Sequence, residues 1–322
     1  MRAALAALLA MSCLPGLDEA WQLFDPRPTP PAIAWRASAE LRVIAEADDR
    51  ERPGSLALDR EALGLGWLAA RGERDELWLH ARAARTALRG DARLPSGVDP
   101  SGVYHEAAAG ATWKRLASGG DVYGLAAAAS VLGQPPLFAD DGWGGSATAF
   151  ARLGLGEEGR DGLLLALHYD SERALWRDIP LLPLLAWQGQ RGSWSLVLGV
   201  PFTMVAWRDE QWRIAAVLGP TPSASVARRL SGPWFLVADG RWARWQGRRD
   251  GRPEDEARLQ LSQWEWSGGL RWTVAPPILA ELLLGAATAR RLGEDDDADD
   301  ARRDGLRWEA APFAVLRGRV VW

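Results

Sequence analysis

The sequence predicts an all-β protein: an antiparallel up-and-down transmembrane β-barrel of about 14 strands (12–16 admissible). Three observations predict it. Hydrophobicity alternates with a period of two in one segment after another. The connections between these segments switch between long polar loops and tight turns. Tryptophan, with 19 copies against three tyrosines and six phenylalanines, gathers near segment ends.

The chain opens with MRAALAALLAMSCLPGLDEA, where Arg2 precedes an apolar run from Ala3 to Leu14. That is the charged-then-apolar plan of a secretory signal, so residues 1–20 are expected to be a signal peptide. Cys13, the only cysteine, sits in a degraded lipidation box, which leaves a lipid anchor as an alternative. It also excludes an internal disulfide. Residues 21–32, WQLFDPRPTPPA, hold four prolines and read as an extended lead-in. Residues 33–322 then read as one barrel domain.

The first strand, 34–47, is the cleanest. Trp35, Ala37, Ala39, Leu41, Val43, Ala45 and Ala47 alternate with Arg36, Ser38, Glu40, Arg42, Ile44 and Glu46. Alternate side chains of a strand point to opposite faces, so one face is apolar and the other largely charged. Similar alternation places strands near 61–71, 76–89, 102–117, 121–133, 146–156, 162–170, 180–189, 193–207, 211–229, 233–247, 257–267, 269–290 and 306–322. Connections such as 48–61, 90–101, 133–146, 247–257 and 292–305 are long and polar. GERD (72–75), SGG (118–120), QRGS (190–193), LSGP (230–233) and SGG (267–269) are tight. Long loops on one rim and tight turns on the other are the plan of a barrel in a membrane. Prolines at 183, 201, 220, 276, 277 and 312 fall inside these segments. A closed barrel has no edge to accommodate a missing N–H, so bulges or strand ends are expected there.

Charge excludes little but indicates something. The net charge is −4, and Lys114 is the one lysine among 38 basic residues. Nothing basic enough for nucleic acid is present, and the apolar runs 179–187 and 276–287 are too short for a membrane helix. Tryptophan is wet at one end and dry at the other. Trp35, Trp187, Trp194, Trp207, Trp212, Trp234, Trp245, Trp308 and Trp322 are therefore expected to form aromatic girdles at the two bilayer surfaces. Strand phasing points Arg36, Glu40, Arg42, Glu46, Arg82, Arg152, Arg317 and Arg319 into the lumen. Their arginine surplus suits a weakly anion-favouring pore, or a lumen shut by Arg–Glu pairs.

No motif carries chemistry. His80, His105 and His168 lack a partner at metal-ligand spacing, and no cofactor is expected. The pair His168 and Ser171 supports a barrel-embedded lipid hydrolase only if a bulge or turn brings them to one face. The acidic run Glu294–Asp300 reads first as a solvated loop, with a shared divalent cation as the other reading.

The export signal, the hairpin array and the aromatic C-terminal residue together resemble a single-chain bacterial outer-membrane β-barrel. The second half (about 180–322) also resembles the uncharacterised outer-membrane-barrel-like families. Tryptophan replaces the phenylalanine and tyrosine those families usually carry at the terminus and girdles. The resemblance implies an outer-membrane protein with its termini in the periplasm. Its partners would be outer-membrane lipid, lipopolysaccharide and the barrel-insertion machinery, which reads Trp322 as a C-terminal signal. A non-enzymatic channel or structural barrel is the leading functional reading. An exported soluble or lipid-anchored binding protein is the rival.

Overall fold

A computed structural model describes residues 29, 34–134, 142–156, 161–171, 181–249, 258–275, 278–295 and 305–321. The signal-peptide segment and Trp322 lie outside these, as does the lead-in except for Thr29. The strands are β1 (Trp35–Asp48), β2 (Ser55–Arg71), β3 (Asp75–Gly90), β4 (Gly102–Leu116), β5 (Val122–Gly133), β6 (Trp143–Leu155), β7 (Asp161–Asp170), β8 (Leu181–Arg191) and β9 (Trp194–Val200). They continue with β10 (Thr203–Arg208), β11 (Trp212–Leu218), β12 (Ser223–Ser231), β13 (Trp234–Gly247), β14 (Arg258–Ala275), β15 (Ile278–Asp295), β16 (Leu306–Trp308) and β17 (Ala311–Val321). From β1 to β15 each strand pairs antiparallel with its sequence neighbours, and β1 pairs with both β2 and β17, which closes the barrel. β16 and β17 both lie along β15 and make one stave, so the barrel has 16 staves.

The count exceeds the 14 predicted from alternation because two long segments are hairpins. Segment 193–207 turns at Pro201 and becomes β9 and β10, with Met204 opposite Val197. Segment 211–229 turns between Leu218 and Ser223 and becomes β11 and β12, with Val217 opposite Ser223. Proline has no N–H to give the ladder, so the chain reverses where prolines sit. The same logic relocates a turn. Ser267–Gly269, expected to be a tight turn, lies mid-strand between Val237–Asp239 of β13 and Leu283–Gly285 of β15. The chain reverses between Ala275 and Ile278 instead. Pro183 extends past the last β8–β9 pair, Leu185 opposite Val200. Pro312 is paired with Ala286 but lies past the β1 ladder, which ends at Phe313.

The outer surface is apolar. Leu41, Leu63, Leu65, Leu125, Leu167, Leu185, Leu236, Leu282, Leu284 and Leu316 all stand exposed on it. Small residues line the inside where neighbouring walls crowd. A Cβ on Gly124 would strike the ring of Phe150, for example. The loop after β3 folds inward rather than outward. Ala92 and Leu94 are buried with Ile44, Leu56, Leu88, Trp308 and the ring of Tyr104, whose hydroxyl donates to the Pro100 carbonyl at 2.8 Å.

Candidate functional site: the lumen

Alternation sends one face of every stave into the barrel, and what arrives there differs around the circumference. On β13–β17 and β1–β4 the wall is charged. Glu265 accepts hydrogen bonds from Arg42, from Arg241 at 2.8 Å and from Gln263 at 2.8 Å. Arg42 reaches Glu40 at 2.9 Å, and Glu40 is held by Arg317 at 2.7 Å. Arg317 approaches Glu281 at 3.7 Å, and Arg271 binds Glu281 at 2.6 Å. The result is a belt of alternating charge, Arg241–Glu265–Arg42–Glu40–Arg317–Glu281–Arg271, drawn from five staves. A second cluster joins Glu106 to Arg60 at 3.1 Å and to Arg82 at 3.5 Å.

The junction of the belt is withdrawn from water, whereas the side chains of Glu40 and Arg317 are each 25% exposed. Glu265 is 3% and Arg42 5% exposed. Charges so buried persist only when paired and hydrogen-bonded, and the belt supplies the pairing. Arg290 (0% exposed) lies beside it, donating to Gln263 at 3.3 Å and sitting 5.7 Å from the Trp308 ring.

On β4–β11 the inner wall is instead mostly apolar, interrupted on β4–β7 by Thr112, Lys114, Ser146, Thr148, Arg152 and His168. Leu116, Val122, Phe150, Leu164, Leu184, Ala186, Val197, Phe202, Met204 and Val217 form one buried cluster. Phe202, in the β9–β10 turn, is tucked into it. The signal for this arc was in the sequence. β7 and β8 read Leu163-Leu164-Leu165-Ala166-Leu167 and Leu181-Leu182-Pro183-Leu184-Leu185, apolar at every position. A strand in which alternation disappears meets apolar surroundings on both faces.

Most sequence-predicted residues come to this lumen, in different roles. Glu40, Arg42 and Arg317 join the belt, and Arg82 binds Glu106. Arg36 lies over the Trp78 ring at 4.0 Å. Arg152 braces the wall near the terminal rim, donating to the carbonyls of Gly120 and Asp161 and, at 3.2 Å, to Gln188. Arg319 is half-buried on the inner face of β17, opposite Ser38 and Leu279. Glu46 departs from expectation. A bulge between Ile44 and Ala47 inserts an extra residue and breaks the alternation, so Glu46 stands exposed and hydrogen-bonded to Ser55. Near the terminal rim, buried Glu76 accepts the amide of Thr29 at 2.6 Å and its hydroxyl at 2.8 Å, with Lys114 at 3.7 Å.

The tryptophans divide as well. At the rim that carries the tight turns, Trp35 stacks on Trp67 at 5.4 Å, and Trp234 stacks on Trp272 at 6.0 Å. Trp194 and Trp207 meet at 6.4 Å, and Arg228 lies 5.3 Å from the Trp212 ring. Trp187, at the end of β8, has Arg191 at 5.9 Å. Trp67, Trp113 and Tyr123, absent from the expected set, belong to the same exposed ring. Trp245 and Trp308 do not. Trp245 packs inside, edge-on to Tyr104 at 5.1 Å. Trp308 is 1% exposed in the inner cluster. Both lie on tall staves whose upper halves close over the inturned loop, so their rings fill core rather than meet an interface.

The pairing of His168 with Ser171 that a lipid hydrolase would need is not formed. His168 points inward and its Nδ1 meets the Thr148 hydroxyl at 2.8 Å. Ser171 Oγ accepts the Gly145 amide at 2.7 Å. Glu294, counted with the acidic loop, belongs to β15 and is bound by Arg249 at 2.9 and 3.1 Å. Residues 296–300 lie outside the described residues. Among those described, no cluster of metal-ligating side chains occurs.

No family model matches the chain, and no curated protein matches its sequence. Solved structures do align with it. The toluene transporter TodX of Pseudomonas putida matches 98% of this chain and 93% of its own, at 9% identity and a TM-score of 0.41. An outer membrane channel from Pseudomonas putida F1 matches 91% and 97%, at 14% identity and a TM-score of 0.40. The translocator domain of the autotransporter NalP from Neisseria meningitidis matches 99% and 97%, at 8% identity and a TM-score of 0.31. Such neighbours are bacterial outer-membrane β-barrels.

Proposed function

We propose that the chain is a non-enzymatic outer-membrane barrel whose lumen is an occluded, selective conduit rather than an open porin. The observation that carries this reading is the ion-paired belt facing an apolar wall. Sixteen staves are enough to leave an aqueous channel. Here the junction of the belt, Glu265 with Arg42, and the apolar cluster on β4–β11 are each buried on the inner side of the wall. The aromatic ring at the tight-turn rim and the leucine-covered outer wall suit a bilayer. Termini in the periplasm and long loops outside complete the reading.

The test is conductance in planar bilayers. The wild-type protein is expected to stay closed, without the steady open level of a water-filled pore. The double variant Glu40→Gln/Glu281→Gln removes the two carboxylates flanking Arg317 and is expected to produce open, anion-favouring events, because charged rings set selectivity. A steady wide-open level in the wild type overturns the occluded reading.

A further inference from the structure

The barrel wall is uneven. β9, β10, β11 and β12 hold 7, 6, 7 and 9 residues, against 18 in each of β14 and β15. At about 3.3 Å per residue and a tilt of about 40°, six or seven residues rise only ~15–18 Å, short of the ~25 Å apolar band of such barrels. The ladders agree. β9 reaches no higher along β8 than Leu185, and β12 reaches no higher along β13 than Arg241. Among the described residues, no strand therefore lies between the upper parts of β8 and β13. Five inter-strand spacings of ~4.8 Å make this notch about 24 Å wide along the wall.

The lips of the notch are apolar. The connections Pro201-Phe202 and Gly219-Pro220-Thr221-Pro222 carry no charge, whereas 48–54 on the same rim reads DDRERPG. Val200 and Leu218, at the lips, are 71% and 65% exposed. A rim that ended in water would not need such residues. Their place is hydrocarbon. Outside, a dent of about 430 Å³ runs beside the β12 lip between Ala224, Ala238, Gly240, Gly268, Trp266 and Leu284. Inside, Leu184, Phe202, Met204 and Val217 form the apolar wall directly behind the lips. Polar residues follow on the inner faces of β7 and β6, the next staves along the wall from β8. His168 Nε2 and Ser146 Oγ are buried with no hydrogen-bond partner, on residues that are 5% and 7% exposed. Buried polar groups are nearly always satisfied, so His168 Nε2 and Ser146 Oγ, like others of the kind elsewhere in the barrel, have hydrogen bonds still to make.

We propose that this notch is a side entrance by which a single-chain amphiphile passes from the lipid layer into the lumen. Its tail lies along Leu184, Phe202, Met204 and Val217, and its hydrogen-bonding head is taken by His168 Nε2 and Ser146 Oγ. The inference rests on the occluded-conduit reading and supplies its substrate class and route.

Two measurements on the full chain test it. In a Cys13→Ser background, a spin label at Leu218→Cys in vesicles should collide with oxygen and not with an aqueous nickel chelate. Exposure to the chelate would place the lip in water and overturn the entrance. In lipid nanodiscs, 11-(dansylamino)undecanoic acid should bind saturably and be displaced by lauric acid. The double variant His168→Ala/Ser146→Ala should weaken it roughly fivefold or more, as the loss of two hydrogen bonds implies. Normal heat-modifiability on gels would show that the variant is folded. Unsaturable binding, or equal affinity in the folded double variant, overturns the head-group assignment. A wide-open wild-type conductance would overturn the conduit reading whether or not the probe binds. Loss of probe binding in bilayers that stay silent overturns this inference alone.

Discussion

Replacing Glu265 by alanine is expected to lower the stability of the folded barrel by about 3–5 kcal/mol, the cost of breaking a buried ion pair from one side. Glu265 is the junction of the belt, accepting from Arg42, Arg241 and Gln263. Without it, Arg42, 5% exposed, keeps only Glu40, at 2.9 Å, and Arg241 loses its 2.8 Å carboxylate. The penalty comes from stranding cations, not from losing attraction. A second change should therefore recover much of it: Arg42→Met together with Glu265→Leu places apolar groups beside their cross-strand partners Val315 and Ala287, which are already buried there, and the net loss should fall below about half. Urea unfolding in lipid vesicles, followed by tryptophan fluorescence, measures both. A shift under about 1 kcal/mol for the single variant would mean that water reaches the belt, and the lumen would then be open at that depth.

How much of this was legible in the sequence depends on which face of a strand is considered. β1 could be read residue by residue as far as Ile44, because its two faces meet opposite environments and the pattern has a period of two. The outer wall was legible for the same reason. The belt's membership was legible only in part, since Glu40, Arg42 and Arg317 were read inward while Arg241, Glu265, Arg271 and Glu281 were not, and its wiring was not legible at all. Which carboxylate Arg42 chooses depends on the registers of β14, β15 and β17, and registers are set by bulges such as those at Ile44/Ala47 and Ser262/Trp264. Where both faces are apolar, as in β7 and β8 with Leu164 and Leu184 buried inside and Leu167 and Leu185 on the outer wall, alternation vanishes and with it the cue that says inside or outside. Turns failed in a consistent direction. A small-residue run such as Ser267-Gly268-Gly269 looks like a turn in sequence, yet it fits the crowded wall between β13 and β15. Prolines marked the true reversals near 201, 220 and 276. Among the described residues tryptophan misled at 245 and 308, where residue type alone cannot separate an interface ring from a core ring.

The membrane reading has a sharp consequence on the outer wall. Leu282 lies on β15 between Leu270 of β14 and Leu316 of β17, all three exposed outward. Leu230 lies near the tight-turn end of β12. Both are 53% exposed. For a soluble barrel, equal exposure means equal response, and Leu→Arg at either site should change stability by no more than about 0.5 kcal/mol. For a barrel in a bilayer, exposure is irrelevant and depth decides. Leu282→Arg should then cost about 2–4 kcal/mol, and Leu230→Arg, near the interface, about 0–1 kcal/mol. The comparison cancels side-chain size and strand propensity, since the same substitution is made at two outward strand positions. Unfolding in vesicles gives both numbers. A gap of 1 kcal/mol or more in the stated order identifies lipid as the solvent of this face, while equal values would return the chain to the soluble alternative and leave the side entrance with no hydrocarbon to open into.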